Sequence, residues 1–254
     1  MNILNRIVNE KKLVIEKELV RYGGLKTTAP RRDFAGVLRQ VKPAVIAEIK
    51  YASPSKGDFG VTYSPEELAR LYEQGGAAAL SVLACEIDFK GSPEFVMRAK
   101  EATNLPVLWK DFVFDFRQLT LAVNCGADAV LLICNLLGEK IGEFIAAAEE
   151  IGLQAIVEIY DEAEAELAKR AGAKIILINN RNLRDFQVDL NVSKSLAKVF
   201  PSETLVISAS GIKNRADIEL LEKDGLHAFL VGESVACAKQ PDEAVRSLIT
   251  GRSI

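Results

Sequence analysis

Charged and amide residues stand inside or directly after several short apolar runs, where core residues are expected. Glu48 and Lys50 lie two residues apart in and after the first run, so on a strand their side chains share one face. Lys110 follows the third run, Glu158 lies in the fifth, and Asn179 follows the sixth. Carboxylates and lysines held close together are typical of general acid–base catalysis. We therefore predict a catalytic cluster, with a structural network of ion pairs as the alternative.

Small residues follow the last two apolar runs and predict an anion site. Ser210 and Gly211 follow the seventh run, and Gly232 and Glu233 follow the eighth, where a short helix is expected. Small residues let backbone N–H groups approach an anion, and a helix N-terminus adds its dipole. Arg181 would add a forked donor. We predict a phosphate site, with two ordinary tight turns as the alternative.

Eight apolar runs alternate with amphipathic segments, and this alternation predicts how the polar residues are positioned. The runs cover residues 44–49, 78–83, 106–109, 128–133, 154–159, 174–178, 204–208 and 227–231. Eight strand–helix units match a (β/α)8 TIM barrel, whose active site lies at the carboxyl ends of the strands and whose phosphate site follows strands 7 and 8. The alternative is an open doubly wound sheet, but the G-x-G-x-x-G fingerprint is absent after the first run.

The chain of 254 residues is expected to form a single α/β domain. Residues 1–43 are predicted to be an N-terminal helical extension, and residues 44–254 the barrel. In the extension, apolar residues near a 3.6-residue period predict a helix over 3–20. Asp33 is expected to cap a second helix that ends near Gln40.

Composition excludes several classes of function. Lys and Arg number 32 against 35 Asp and Glu, so no basic excess exists to bind nucleic acid. The single histidine, His227, excludes a Ser-His-Asp triad and multi-histidine metal sites. The four cysteines lack C-x-x-C spacing, so a zinc site is not expected. Four thiols in a chain of this length do not suggest a disulfide framework, so we expect a reducing cytoplasm. No apolar run approaches the ~20 residues of a membrane span.

Motifs along nearly the whole chain resemble those of the indole-3-glycerol phosphate synthase family. The matching strings are AEIKYASPSKG (47–57), LSVL (80–83), FKGS (89–92), PVLWKDF (106–112), GADAVLLI (126–133), IVEIYD (156–161), INNRNL (178–183), SGI (210–212) and LVGES (230–234). The E-x-K-x-x-S-P-S string with a later KDF is quite specific to this family.

This resemblance implies a lyase of tryptophan biosynthesis. An anilino-deoxyribulose phosphate that bears a carboxylate closes a ring, loses CO2 and then loses water to give the indole. The resemblance implies no metal and no organic cofactor. The expected partner is a small sugar-phosphate substrate, and we expect a monomer.

The resemblance also implies residue roles. Lys110 would be the general acid for ring closure, and Glu158 the acid/base for dehydration. Lys50 would hold the substrate carboxylate or share in proton transfer, while Glu48 and Asn179 would orient these groups. The phosphate would be surrounded by Ser53, Arg181, Ser210, Gly211, Gly232 and Glu233.

The sequence departs from the family pattern near the predicted active site. Ala209 stands where the family has an acid, Leu177 replaces a glycine, Tyr51 replaces a basic residue, and Ala84 replaces a threonine. These changes fit ordinary divergence or a rebuilt pocket. Two alternatives therefore stand beside the lyase: an engineered barrel with a base- or lysine-catalysed reaction, such as a ring-opening elimination or retro-aldol cleavage, and a relative that only binds a sugar phosphate.

Overall fold

The computed structural model describes residues 3–182 and 187–252. Residues 1–2 and 253–254 of the predicted domain, and Leu183 of the INNRNL motif, lie outside the described residues. Helix α1 spans Ile3–Tyr22 and α2 spans Phe34–Gln40. The Asp33 side chain accepts a hydrogen bond from the Gly36 amide, which caps α2 as predicted.

Eight parallel strands close into a barrel, and a two-stranded antiparallel hairpin lies outside it. The barrel strands are β1 (Ala44–Ile49), β4 (Ala79–Leu83), β5 (Val107–Lys110), β6 (Ala129–Ile133), β7 (Gln154–Ile159), β8 (Ile175–Asn179), β9 (Leu205–Ala209) and β10 (Ala228–Val231). The hairpin pairs β2 (Ala52–Ser53) with β3 (Gly57–Asp58). In the barrel β1 pairs with both β4 and β10, so the first and last strands close the ring. The predicted TIM barrel is confirmed.

Helices follow the strands and surround the barrel. They are α3 (Pro65–Gly75), α4 (Pro93–Ala102), α5 (Phe116–Asn124), α6 (Cys134–Leu137), α7 (Ile141–Glu150), α8 (Glu162–Arg170), α9 (Asn191–Leu196), α10 (Arg215–Glu222), α11 (Glu233–Ala236) and α12 (Pro241–Thr250). Local sequence sets their ends: at α3, Ser64 and Glu67 form a capping box with Pro65 at the first helical position.

The core has two layers, as a barrel requires. One layer lies between strands and helices and includes Tyr72, Trp109 and Phe229. The other fills the barrel interior and includes Ile46 and Leu177. Strands buried on both faces explain why the sequence shows continuous apolar runs rather than alternation.

The N-terminal extension covers both ends of the barrel. Helix α2 lies at the amino end of the strands, where the Ala35 amide donates to Gln154 at the start of β7. Helix α1 lies at the carboxyl end, where its residues Ile3, Leu4 and Ile7 line the main cavity. The extension therefore forms part of the cavity wall as well as part of the scaffold.

Candidate active site

A cavity of about 570 Å³ opens at the carboxyl ends of the barrel strands. All the residues predicted to carry catalysis or bind phosphate line it: Glu48, Lys50, Ser53, Lys110, Glu158, Asn179, Arg181, Ser210, Gly211, Gly232 and Glu233. Because they come from different strands and loops, only the closed barrel brings them together.

Glu48 is the centre of a buried charge cluster. Its Oε1 lies 2.7 Å from Lys50 Nζ, its Oε2 lies 3.9 Å from Lys110 Nζ, and Ser81 Oγ donates to Oε2 at 3.3 Å. Burial raises the pKa of Glu48, but Lys50 first and then Lys110 and the hydrogen bonds outweigh burial, so the net pKa lies below its ordinary value. Glu48 is therefore a carboxylate at neutral pH that forms ion pairs with both lysines.

Gly232 lies against this cluster, and a side chain at this position would displace the charged groups. A Cβ atom on Gly232 would be 2.5 Å from Glu48 Oε1 and 3.0 Å from Lys50 Nζ. The backbone at the end of β10 thus approaches the charged groups of Glu48 and Lys50 so closely that a Cβ atom there would force these groups to move. This close approach joins the predicted phosphate site to the predicted catalytic cluster.

Glu158 and Asn179 form a second polar pair across the cavity. Asn179 Nδ2 donates to Glu158 Oε1 at 3.2 Å, and Asn179 Oδ1 accepts from the Arg181 amide at 3.0 Å. Only 6% of Glu158 is exposed, so its carboxylate reaches the solvent only through the cavity. Asn179 therefore holds Glu158 on one side and the start of the Arg181 loop on the other.

Asn180 supports the loop that carries Ser210 and Gly211, and no functional role was predicted for it. Its Nδ2 donates to Ser208 Oγ at 3.0 Å and to the Ser210 carbonyl at 3.1 Å, while its Oδ1 accepts from the Ser193 amide. Ser210 and Gly211 both have positive φ, 69° and 86°. A buried amide thus stabilises an uncommon turn whose backbone lines the cavity. An asparagine next to a predicted site asparagine was the only sequence signal.

The loop after β1 reaches the predicted phosphate side of the cavity. It carries the β2–β3 hairpin, and Ser53 of this hairpin lines the cavity. Lys56 Nζ lies 2.5 Å from Glu233 Oε1, and Lys90 pairs with Asp58. Both pairs are largely exposed to solvent, so each contributes little stability.

The opposite side of the cavity is apolar. Phe89 and Phe112 lie with ring centroids 6.0 Å apart, and Ile3, Leu4 and Ile7 of α1 lie on the same cavity. None of these five was predicted as a site residue, because apolar residues in loops and in an amphipathic helix look the same whether they line a pocket or a core.

Charge in the cavity favours an anionic ligand. The described lining residues include five cations, Lys50, Lys56, Lys110, Arg181 and Lys213, and three acids, Glu48, Glu158 and Glu233. The cationic excess and the apolar side suit a ligand with both acidic and aromatic parts.

The departures from the family pattern occupy different environments. Ala209 lines the cavity at the end of β9, in register with Asn179. Leu177 is fully buried in the barrel interior, two residues before Asn179 and thus deeper than the described cavity lining. The Tyr51 hydroxyl donates to the Tyr63 carbonyl at 3.0 Å, and Ala84 packs between strands and helices; neither is among the described lining residues. Of the four, only Ala209 changes the cavity lining.

Within residues 3–182 and 187–252, no helix is both long enough and apolar enough to cross a membrane. Solved structures with a similar fold include 3-hexulose-6-phosphate synthase from Salmonella typhimurium, at a TM-score of 0.65 and 18% identity, covering 82% of this chain and 96% of that one. Thiamine phosphate pyrophosphorylase from Pyrococcus furiosus aligns at a TM-score of 0.62 and 18% identity, over 81% of this chain and 93% of that one. At such identity these structures support the fold alone.

Sequence comparisons identify the family. The family model described as indole-3-glycerol phosphate synthase matches residues 4–248. Indole-3-glycerol phosphate synthase from Neisseria meningitidis serogroup C is 42% identical over 97% of this chain and 99% of its own length. Indole-3-glycerol phosphate synthase 2 from Streptomyces coelicolor is 42% identical over 87% of this chain and 86% of its own. Neither an engineered reaction nor binding alone is favoured over this assignment. The chain belongs to the indole-3-glycerol phosphate synthase family, a family of carboxy-lyases of tryptophan biosynthesis.

Proposed function

We propose that this chain converts 1-(2-carboxyphenylamino)-1-deoxyribulose 5-phosphate to indole-3-glycerol phosphate, CO2 and water. The observation that carries the proposal is one cavity that is lined by Lys110 and Glu158, by apolar residues on one side, and by more cations than acids. The apolar side suits the aromatic ring, and the excess of cations suits the phosphate. Membership of the family supports the same reaction.

The proposed first step forms a carbon–carbon bond. The ring carbon that bears the carboxylate attacks the ketone carbon, and Lys110 donates a proton to the ketone oxygen, which becomes a hydroxyl. The carboxylate then leaves as CO2, and its electron pair restores the aromatic ring. Lys50, held 2.7 Å from Glu48, is the group proposed to hold that carboxylate before it leaves.

The proposed last step removes the hydroxyl as water. Glu158 exchanges the proton for this step, because it is the other carboxylate of the cavity besides Glu48 that lies deep beside the barrel strands. Asn179 fixes Glu158 through the hydrogen bond between Nδ2 and Oε1. Two acid–base groups on different strands thus serve two different proton transfers.

The phosphate is proposed to bind at the ends of β9 and β10. Backbone amides of Gly211, Gly232 and Glu233 are the proposed donors, with Arg181 or Ser53 nearby. We expect titration calorimetry to show ribulose 5-phosphate binding at least tenfold more tightly than ribulose, since charge-assisted hydrogen bonds to the phosphate are lost in the latter. Equal affinity for the two sugars would disprove the phosphate site.

Ala209 offers a test of how this cavity tunes the reaction. Ala209→Glu places a carboxylate on the strand beside Asn179. We expect the change to raise kcat/KM on the natural substrate about tenfold, because a carboxylate there would help to orient a catalytic group. Ala209→Gln, similar in size but uncharged, is the matched control. If the unmodified protein is as fast as ordinary family members and gains nothing from the glutamate, Ala209 is tolerated divergence.

The decisive assay for the proposed function is direct. Purified protein is mixed with the anilino-deoxyribulose phosphate, and the rise of indole fluorescence is followed together with release of CO2. Stoichiometric appearance of both products supports the lyase. Binding of the substrate without either product would instead support a protein that only holds the sugar phosphate.

We also propose a cytoplasmic monomer. All four cysteines are free thiols, and three of them, Cys85, Cys125 and Cys134, are buried, as expected in a reducing compartment. Light scattering of the purified protein would test the monomer.

A further inference from the structure

A buried lysine of α1 lies against the turn that follows Lys110. Lys11 Nζ is 2.9 Å from Asp111 Oδ2 and 3.0 Å from Glu18 Oε2, and only 1% of the Lys11 side chain is exposed. Asp111 is the next residue after Lys110, and its Oδ1 accepts a hydrogen bond from the Phe112 amide at 2.8 Å. One buried ion pair therefore joins α1 to the turn between two cavity residues.

The electrostatics make this contact specific. Burial lowers the pKa of Lys11, but nearby Asp111, Cys85 and Glu18 outweigh burial, so the net pKa is raised and Lys11 remains charged at neutral pH. A charge buried this completely is tolerated only with its partners in place. The pair therefore allows α1 to pack on the barrel in one position.

The same face of α1 carries the cavity wall. Ile7 precedes Lys11 by four residues and Leu4 precedes it by seven, so the three side chains project from one side of the helix. All three are buried, and Leu4 and Ile7 line the cavity. Fixing Lys11 therefore fixes the wall one and two turns away.

This wall lies across the cavity from the proposed phosphate site. Asp111 follows β5, and the phosphate site follows β9 and β10. In the strand order of the closed barrel, β5 and β9 are opposite each other. Arg6 of α1 pairs with Asp88 in the loop after β4, which places the helix on the same side as Asp111.

We propose that Lys11 is a positioning residue for the aromatic end of the substrate. Its ion pair with Asp111 holds the first two turns of α1 as a wall of the cavity and fixes the turn that bears Lys110 and Phe112. The inference rests on the proposed function, since it assigns the aromatic ring to this wall. Lys11 itself does not line the described cavity.

The test compares two ligands in one variant. The first is the substrate with its ketone reduced to an alcohol, which keeps the aromatic ring, and the second is ribulose 5-phosphate, which lacks it. We expect Lys11→Met to weaken binding of the first at least tenfold and of the second less than twofold. We expect kcat/KM to fall about 10²-fold, because a small displacement caused by a change far from the reacting atoms can have an effect of this size.

Two variants serve as controls. Lys11→Arg keeps the charge, and its affinity for each ligand is expected to stay within threefold of that of the unmodified protein. Lys17→Met removes a lysine from the exposed face of the same helix and is expected to change nothing. If Lys11→Met weakens the binding of both ligands equally, or of neither, the inference is overturned.

A measurement on the unmodified protein covers the case in which Lys11→Met does not fold. Hydrogen exchange of amides 4–11 should slow at least threefold with the aromatic ligand and not with ribulose 5-phosphate. Equal slowing, or none, overturns the inference. If the unmodified protein neither binds the aromatic ligand nor forms indole, the proposed function itself fails and this inference falls with it. If the unmodified protein binds the aromatic ligand and forms indole, but the two ligands give the same result in these tests, the role of Lys11 is disproved and the proposed function stands.

Discussion

Lys110→Met is expected to abolish ring closure, with single-turnover indole formation at least 10²-fold and up to about 10⁴-fold slower than in the unmodified protein. Methionine keeps most of the side-chain volume but cannot donate a proton to the ketone oxygen. The measurement is the rate of substrate loss in a single turnover, which reports closure separately from later steps. Lys110 lines the cavity with its Nζ 3.9 Å from Glu48 Oε2, so the substitution removes both the proposed proton donor and one of the two lysines beside Glu48.

The partner variant separates the two proton transfers. Glu158→Gln should slow product formation more than substrate loss, so an intermediate that has lost CO2 but not water should accumulate. Lys26→Met, which changes an exposed lysine of the segment between α1 and α2, should leave both rates unchanged. Rates within threefold of the unmodified protein in both Lys110→Met and Glu158→Gln would remove the proposed roles.

Lys100→Met is expected to cost about 3–5 kcal/mol of unfolding free energy, because it leaves a buried carboxylate without its cation. Lys100 Nζ lies 2.7 Å from both carboxylate oxygens of Asp128, and both side chains are fully buried. Asp128 also accepts from the amides of Arg32 and Val107. The pair thus joins α4, the start of β6 and the N-terminal extension. Urea unfolding followed by circular dichroism measures the loss.

A surface pair provides the matched control. Lys174 Nζ lies 2.9 Å from Glu149 Oε1, but 73% of the Lys174 side chain is exposed. Lys174→Met should cost less than about 1 kcal/mol, since water screens the pair and solvates the remaining carboxylate. A similar cost for Lys100→Met and Lys174→Met would show that Asp128 is stabilised by its backbone donors alone.

Much of the fold was predictable because each strand carries a local signal. A strand buried on both faces needs a continuous apolar run, and the run at 154–159 coincides with β7. The bounds of the other barrel strands differ from the predicted runs by at most one residue. For example, the run at 106–109 corresponds to the strand Val107–Lys110. The helix predicted over 3–20 extends to Tyr22. Such shifts follow from pairing with neighbouring strands, which a local pattern does not contain.

The polar part of the site was predictable for the same reason. A lysine or glutamate at the carboxyl end of an otherwise apolar strand is unusual, because burying a charge is costly. Lys110 and Glu158 could therefore be recognised from the sequence. The contacts that support these residues could not be predicted, because they join residues that are far apart in the sequence. Asn180 holds Ser210 across 30 residues, and Lys11 reaches Asp111 across 100. The β2–β3 hairpin was also missed, since its strands have only two residues each.

The pairing of β1 with β10 has a consequence for synthesis on the ribosome. Ala44 pairs with Ala228, and Gly232 packs against Glu48, so the charge cluster is completed by a strand that is translated after the other seven barrel strands. We expect β1 to lack its strand partner on this side until β10 has been translated. Contacts this distant in sequence form late in folding. We therefore expect a nascent chain to lack part of the proposed phosphate site until β10 and the residues that follow it, Gly232 and Glu233, have been translated.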